Sequence, residues 1–499
     1  MKMNKIYKSL GLLLALSLFS SCYKDHSVNG DHPLAVVKVT EPIASVQTAA
    51  FGEVTVIKSP AYTITTGASV TPSYEWIVDG VVVSTEKDLS YSPTSYGKHD
   101  ARLRMYTPDG SYFYRFTIDV PYRYVDGLYV LASNEGKTIL SYLPGGEKTD
   151  AFDLDAFGRS NPTIDMTGDP QSMLFYRYVP GAGASRSYLG IALGLPTRYY
   201  RVSADSLKVL SPRISFTNPV DFSHASGNQA TVREYFISGA NVWEMERSAN
   251  VPAKKHDKYL SPVAPGYSLA SAIVNWRALT GTRISEGMAF FDNAGSNLLY
   301  MILGSRVTVK KVRTFAASAF PGGAPEETNP FEGMTLIDMK SAGEGNYTYN
   351  YTLLLLKRNS DSKYFVARLT AGDFTQSQSV DGATVSMVEF TEGTPTHLMP
   401  NLGGTAALVA TADKVYFYNM ANATATTHPA WISLPAGQTI ASMALTSDNR
   451  LFIGANGTGT GLVGSIYSYN VAGITPVLLK SEEGITGKIK QIVYRQFSN

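Results

Sequence analysis

The chain has 499 residues, 43 Lys+Arg against 41 Asp+Glu, with 44% hydrophobic and 17% charged residues. That is enough apolar surface to bury cores and too little charge for a disordered chain. At about 150 residues per domain the length allows roughly three domains, or two if one is a large all-β unit. The excess lies in Tyr (31) and Gly (43), with Thr and Ser, which favours strands and turns over helices.

Lys2, Lys5 and Lys8 precede an apolar run from Leu10 to Phe19, interrupted only by Ser17 and followed by Ser20, Ser21 and Cys22, the only cysteine. About ten apolar residues span about 15 Å as a helix, half of a roughly 30 Å hydrocarbon core, so residues 1–21 read as an export signal and not a membrane span. The run F-S-S-C resembles the lipobox of bacterial lipoproteins, with Phe19 where Leu is usual. The resemblance implies diacylglycerol on the Cys22 sulfur, cleavage before it, and Cys22 as the first mature residue. The competing reading is a buried core cysteine, but the following Y-K-D-H-S-V-N-G-D-H is polar and turn-rich and offers no core. Loss of the three lysines leaves one more acid than base. A near-neutral chain has no electrostatic case for nucleic acid, which needs a basic patch.

Residues 22–33 read as a tether, and from Leu34 to about residue 121 short alternating strands follow at sandwich-like intervals. Asp79-Gly80 supplies a two-residue hairpin turn. Trp76 alternates with Tyr74 and Val78 on one face, the position of a core aromatic. The stretch from Tyr74 to Ser84, with the later Y-G-K-x-x-x-R-L-R-M-Y-T-P-D-G, resembles PKD and PKD-like domains of immunoglobulin type. Their inter-sheet disulfide of antibody type is impossible without a second cysteine.

Over 122–499 a unit recurs: an apolar strand, a polar turn, a second apolar strand. Copies begin near Leu128, Ser172, Arg233, Gly287, Tyr351, Thr405 and Ser442, and a lone strand K-I-K-Q-I-V-Y-R starts at Lys488. Strand, turn and strand is the commonest unit of any β protein, and the copies share no rigid consensus. The unpartnered final strand argues for ring closure, in which the last strand completes the first blade. The expected fold is all-β: a PKD/Ig-like β-sandwich followed by a β-propeller, best fitted by seven blades, with six or eight as alternatives, and few helices.

Patterns that imitate active sites fail on context. Gly459-Thr-Gly461-Leu-Val-Gly464 matches G-x-G-x-x-G, but a strand-like segment follows where a dinucleotide site needs a helix. The run from Asp153 to Gly158 resembles a calcium loop, yet Phe157 stands at the third ligand position. Glu244 and Glu246 share one face of a strand about 6.6 Å apart, near an inverting glycosidase spacing, but propeller glycosidases gather acids from different blades. The seven histidines are scattered, and Gly266-Tyr-Ser268 lacks the second glycine of a nucleophile elbow. No catalytic motif, metal site or cofactor is implied.

What remains is a tyrosine surplus: Tyr176, Tyr178, Tyr188, Tyr199 and Tyr200 in one region, Tyr347, Tyr349 and Tyr351 in another. Tyr stacks on sugar rings or peptide side chains, and serves packing as readily. Tyr176, Tyr178, Tyr347 and Tyr349 are the candidate ligand-binding residues. The order of lipobox, PKD-like module and propeller-like repeats resembles the PKD-like family lipoproteins of Bacteroidetes. That resemblance implies a lipid-anchored outer-membrane protein, at the cell surface, accessory to a TonB-dependent transporter that imports glycans or peptides. Only Cys22 maps onto a position of known role in that family. Surface lipoproteins of these cells carry several acids soon after the cysteine, and Lys24-Asp25 offers one. The rival readings are a propeller enzyme, glycosidase or lyase, and a purely structural assembly module.

Overall fold

The structure is a computed structural model that describes residues 34–65, 70–145, 152–178, 186–194, 198–210, 214–215, 223–226, 233–238, 241–246, 254–255, 268–280, 283–302, 308–316, 326–342, 351–370, 379–380, 384–401, 406–420 and 428–496. The signal segment and Cys22 lie outside them, as do Tyr347 and Tyr349. The chain divides into two compact units, Met1–Tyr122 and Arg123–Asn499.

The first unit has a five-stranded sheet in the order Val46–Thr48, Gly110–Val120, Gly97–Thr107, Ser73–Val78, Val81–Ser84, and two strand pairs, Val37–Glu41 with Ala61–Ile64 and Thr55–Ile57 with Leu89–Tyr91. Alternation along Ser73–Val78 sends Tyr74, Trp76 and Val78 inward, where they share one core with Val37, Ile57 and Leu89 of the smaller pairs. Trp76 is fully buried, meets Phe116 edge-on at 6.1 Å and donates its indole N–H to Glu86 O at 2.9 Å. The turn expected at Asp79-Gly80 is present, with φ of 50° and 82°, both in the left-handed region that a type I′ turn requires.

The second unit is a β-propeller. Every hairpin read from the sequence pairs as expected, from Gly127–Asn134 with Lys137–Pro144 to Thr439–Leu445 with Arg450–Asn456. Their neighbours complete sheets of mostly four strands, such as Met334–Ala342, Tyr351–Arg358, Tyr364–Thr370 and Thr384–Phe390. The first strand of each sheet packs against the first strand of the next: Asp169–Tyr178, Ser223–Ser226, Leu269–Thr280, Met334–Ala342, His397–Pro400, Thr439–Leu445 and then Lys488–Arg495, which packs back on Asp169–Tyr178. The lone strand Lys488–Arg495 pairs antiparallel with Gly127–Asn134, Gly127 opposite Arg495, so the last strand and the first hairpin form one sheet.

The second strand of a sheet lies between two cores, and its alternate residues feed both. Leu353 and Leu355 pack with Val409 and Tyr418, while Leu354 and Leu356 pack with Phe291 and Tyr300. Tyr129 and Leu131 join one core, Leu128 and Val130 another. Burial on both faces makes these strands continuous apolar runs, each large side chain worth about 1.5–3 kcal/mol. Helix is confined, among the described residues, to the single turn Ala156–Ser160. Its cap is Asp155, which accepts from Gly158 N–H at 2.9 Å, and Asp153 is buried between Arg159, Arg123 and the Tyr124 hydroxyl. The calcium-like run is thus a capped helical turn with an ion-paired aspartate.

Candidate functional site

The first strand of each sheet is an edge strand, because only one side of it is paired. The backbone groups on its free side, toward the axis of the ring, need partners. Side chains of the neighbouring first strand supply them. Asp338 on Met334–Ala342 accepts from Leu398 N–H at 3.0 Å, and Ser442 on Thr439–Leu445 accepts from Ile492 N–H at 3.1 Å. Gln491 on Lys488–Arg495 accepts from Met173 N–H at 2.7 Å. Elsewhere a turn does the same for a first strand: Asn293, just after Arg283–Asp292, accepts from Leu336 N–H at 2.8 Å. The result is a partial collar: among the described residues, side-chain to backbone bonds join one first strand to the next at three junctions beside the channel.

Bulges set these side chains. The pairing slips between Leu336 and Asp338, between Ile440 and Ser442, and opposite Leu131/Ala132, so that Ile337, Ala441 and Lys490 are extra residues. Each is followed directly by a collar residue, Asp338, Ser442 or Gln491. A bulge re-aims the side chain next to it and adds local twist. The same slip occurs between Pro170 and Ser172.

Four ionisable groups meet on this level. The second oxygen of Asp338 accepts from Met339 N–H at 2.8 Å and pairs with Lys340 Nζ at 3.1 Å, the Asp338 side chain being mostly buried. His397 is half-buried, and burial pushes its pKa below the ordinary imidazole value. The Asp338 carboxylate opposes that shift, and Lys340 and Lys490 reinforce it. The ring is therefore neutral at pH 7. The arrangement offers cationic and neutral donors, with its one carboxylate already held by three donors.

A second cluster surrounds Glu392, just after the strand Thr384–Phe390. It accepts from the Tyr418 hydroxyl, from His428 N–H at 2.9 Å and from Thr391 N–H at 3.0 Å, and the Tyr418 and His428 rings lie 4.0 Å apart. Burial alone would raise the Glu392 pKa, but these donors hold it below the usual carboxylate value. So saturated a carboxylate pins two loops.

The residues singled out from the sequence fall in separate places. Tyr176 and Tyr178 lie on the inner strand Asp169–Tyr178, in register with Tyr188 and Arg186 and further along the channel than Met173. Tyr347, Tyr349 and Cys22 lie outside the described residues. Of the wider tyrosine surplus, Tyr199, Tyr200 and Tyr351 are core: the first two are buried, and Tyr351 is buried beneath the Arg368 guanidinium at 4.8 Å. Glu244 and Glu246 stand in register with the bases Lys254 and Arg233. Asp338, Lys340, His397 and Lys490 were missed because they come from three different strands; the only sequence signal was the polar interruption of L-I-D-M-K and K-I-K-Q-I. Among the described residues no group of His, Cys, Asp and Glu could hold a metal ion, and no helix is long and apolar enough to cross a membrane.

No protein-family model matches the chain, and no curated protein matches it. Among solved structures it is similar to a quinonprotein alcohol dehydrogenase-like protein from Bacteroides thetaiotaomicron, at 13% identity over 92% of this chain and 99% of that one, with a TM-score of 0.43. A functionally unknown protein from Desulfotomaculum acetoxidans matches at 12% identity over 73% and 98%, with a TM-score of 0.42. The apo form of AztD from Citrobacter koseri matches at 10% over 85% and 98%, with a TM-score of 0.36. Likenesses of this degree carry no argument, and the propeller rests on the strand pairing above.

Proposed function

We propose that the protein is a lipid-anchored accessory binding protein of the outer membrane. In this reading residues 1–21 are removed and Cys22 carries the lipid. The unit up to about residue 121 is a PKD-like spacer, and the remainder is a seven-bladed propeller that captures a glycan or peptide beside a TonB-dependent transporter. The observation that favours binding over catalysis is the collar: Asp338 spends both oxygens on two backbone N–H groups and one ammonium, so its carboxylate is not free to act as acid or base. Two or three acyl chains at about 0.8 kcal/mol per buried methylene would make the anchor effectively permanent.

Metabolic labelling with an alkyne fatty acid, followed by pull-down of the tagged protein from membranes, tests it. The wild type is expected to carry label and to recover a transporter, and Cys22→Ala to lose both. A wild type free of fatty acid, or recovered without any transporter or partner lipoprotein, overturns the reading. Turnover of a glycan by the purified protein would favour the enzyme instead.

A further inference from the structure

We infer that the propeller channel takes an anionic glycan, one whose sugars carry carboxylates; this rests on the binding role proposed above and names the class of its ligand. The chain as a whole is almost balanced in charge, but the strands that face the channel are not. Among the described side chains they hold four Lys and Arg (Lys340, Lys488, Lys490 and Arg495) against two acids, Asp169 and Asp338. Two of the bases are spent internally: Lys340 pairs with Asp338, and buried Arg495 pairs with Asp205. Lys488 and Lys490 are exposed and have no ion pair among the described residues.

Topology says where Lys490 lies. His397 and Lys490 lie on first strands separated by a whole sheet, the one that begins with Thr439–Leu445. The Lys490 charge nevertheless acts on the His397 ring, together with that of Lys340. Lys490 is exposed on a first strand, whose unpaired side borders the channel, at the bulge that frees its residue from the ladder. A cleft lined by one sign of charge between low-dielectric walls focuses its field and concentrates counter-ions.

The collar also selects between anionic polymers. An acidic peptide would add as a strand to a free edge through backbone hydrogen bonds. Those positions are closed at Leu398, Ile492 and Met173, whose N–H groups already donate to Asp338, Ser442 and Gln491. A carboxylated sugar chain needs no backbone pairing. It needs the lysine ammonium groups, which are compact and carry three rotatable donors each.

The test is isothermal titration of the purified full-length protein with oligogalacturonate, with its methyl ester, in which the same chain has lost its charge, and with polyglutamate. Oligogalacturonate is expected to bind, more weakly as salt rises, and at least about tenfold more tightly than the ester or polyglutamate. The double variant Lys488→Gln/Lys490→Gln is expected to lose about tenfold with an unchanged melting temperature, Lys488→Arg/Lys490→Arg to retain binding, and Lys87→Gln on the first unit to bind as wild type. Equal affinity for the ester ends this inference but leaves a binding protein. Preference for polyglutamate makes the ligand a peptide. Undiminished affinity in the glutamine variant removes the channel as the site. No binding of any probe by a protein that still recovers a transporter ends this inference and leaves the accessory role standing.

Discussion

Replacing Arg495 is expected to loosen the closure of the ring. Its guanidinium donates to Tyr124 O and Ala204 O, each at 2.8 Å, and pairs with Asp205, so the final strand is tied to the entry of the propeller and to the next sheet at once. The side chain is 8% exposed and that of Asp205 26%, and the guanidinium lies 5.8 Å from the centre of the Phe175 ring. Arg495→Met keeps much of the volume of the stem, so the cavity contribution is small. What is lost are charged hydrogen bonds to two buried carbonyls, which then keep only the Tyr129 hydroxyl between them, and the partner of a half-buried carboxylate. Removing one partner of such a buried group costs about 3–5 kcal/mol. With an unfolding entropy of about 2.1 cal/mol/K per residue over roughly 380 residues, that is a fall of about 4–6 °C in Tm. Arg495→Lys, which keeps the charge but not the fork, is expected to fall between the two. Differential scanning calorimetry and urea titration read it. A loss under about 1 kcal/mol in Arg495→Met would refute the idea that this clamp holds the seam.

Asp338→Ala leaves the N–H groups of Leu398 and Met339, both buried, without their acceptor, at about 2–4 kcal/mol; Asp338→Asn, which keeps a carbonyl, should recover part of it in the same urea titration. Because Asp338 supports the protonated form of His397, its removal should also move the imidazole titration, followed by NMR, to still lower pH. In the first unit the hydrogen bond to Asp79, at 2.6 Å, raises the pKa of buried His99. That stabilisation is fully present below the unfolded value of about 6.5 and is lost as pH rises through the higher folded value, so stability should decline from about pH 6.5 upward. An Asp79→Asn variant whose decline is as steep as wild type would contradict the assignment. Trp76→Ala should cost about 3–5 kcal/mol, seen as faster amide exchange along Gly97–Thr107; unchanged exchange would mean the indole is not central to that core.

The hairpins were legible because strands such as Tyr351–Arg358 serve two cores at once, and an unbroken run of leucines flanked by turn residues has few other uses. Their place within the sheets was not legible. Gly127–Asn134 and Lys137–Pro144 are second and third strands, whereas Asp169–Tyr178 and Arg186–Gly194 are first and second, a difference made only when the ring assembles. Other first strands, such as Met334–Ala342 and His397–Pro400, escaped notice for a related reason. In Met334–Ala342 the extra residue Ile337 breaks the alternation that marks a strand, and Asp338 and Lys340 read as a polar interruption. The collar itself has no linear spacing, since its members come from different sheets. Tyrosine gave an ambiguous signal because the hydroxyl that would serve a ligand also finds partners inside: Tyr200 reaches Asp165 O at 2.8 Å and Tyr129 reaches Tyr124 O at 2.6 Å.

The seam of the propeller has a mechanical consequence. Gly127 sits opposite Arg495, so the segment that enters the unit and the end of the final strand emerge side by side. Tension drawn between them peels the two strands apart one rung at a time instead of shearing all rungs together. The first rung to feel the load is the one that Arg495 clamps, so resistance to pulling is concentrated in a single side chain.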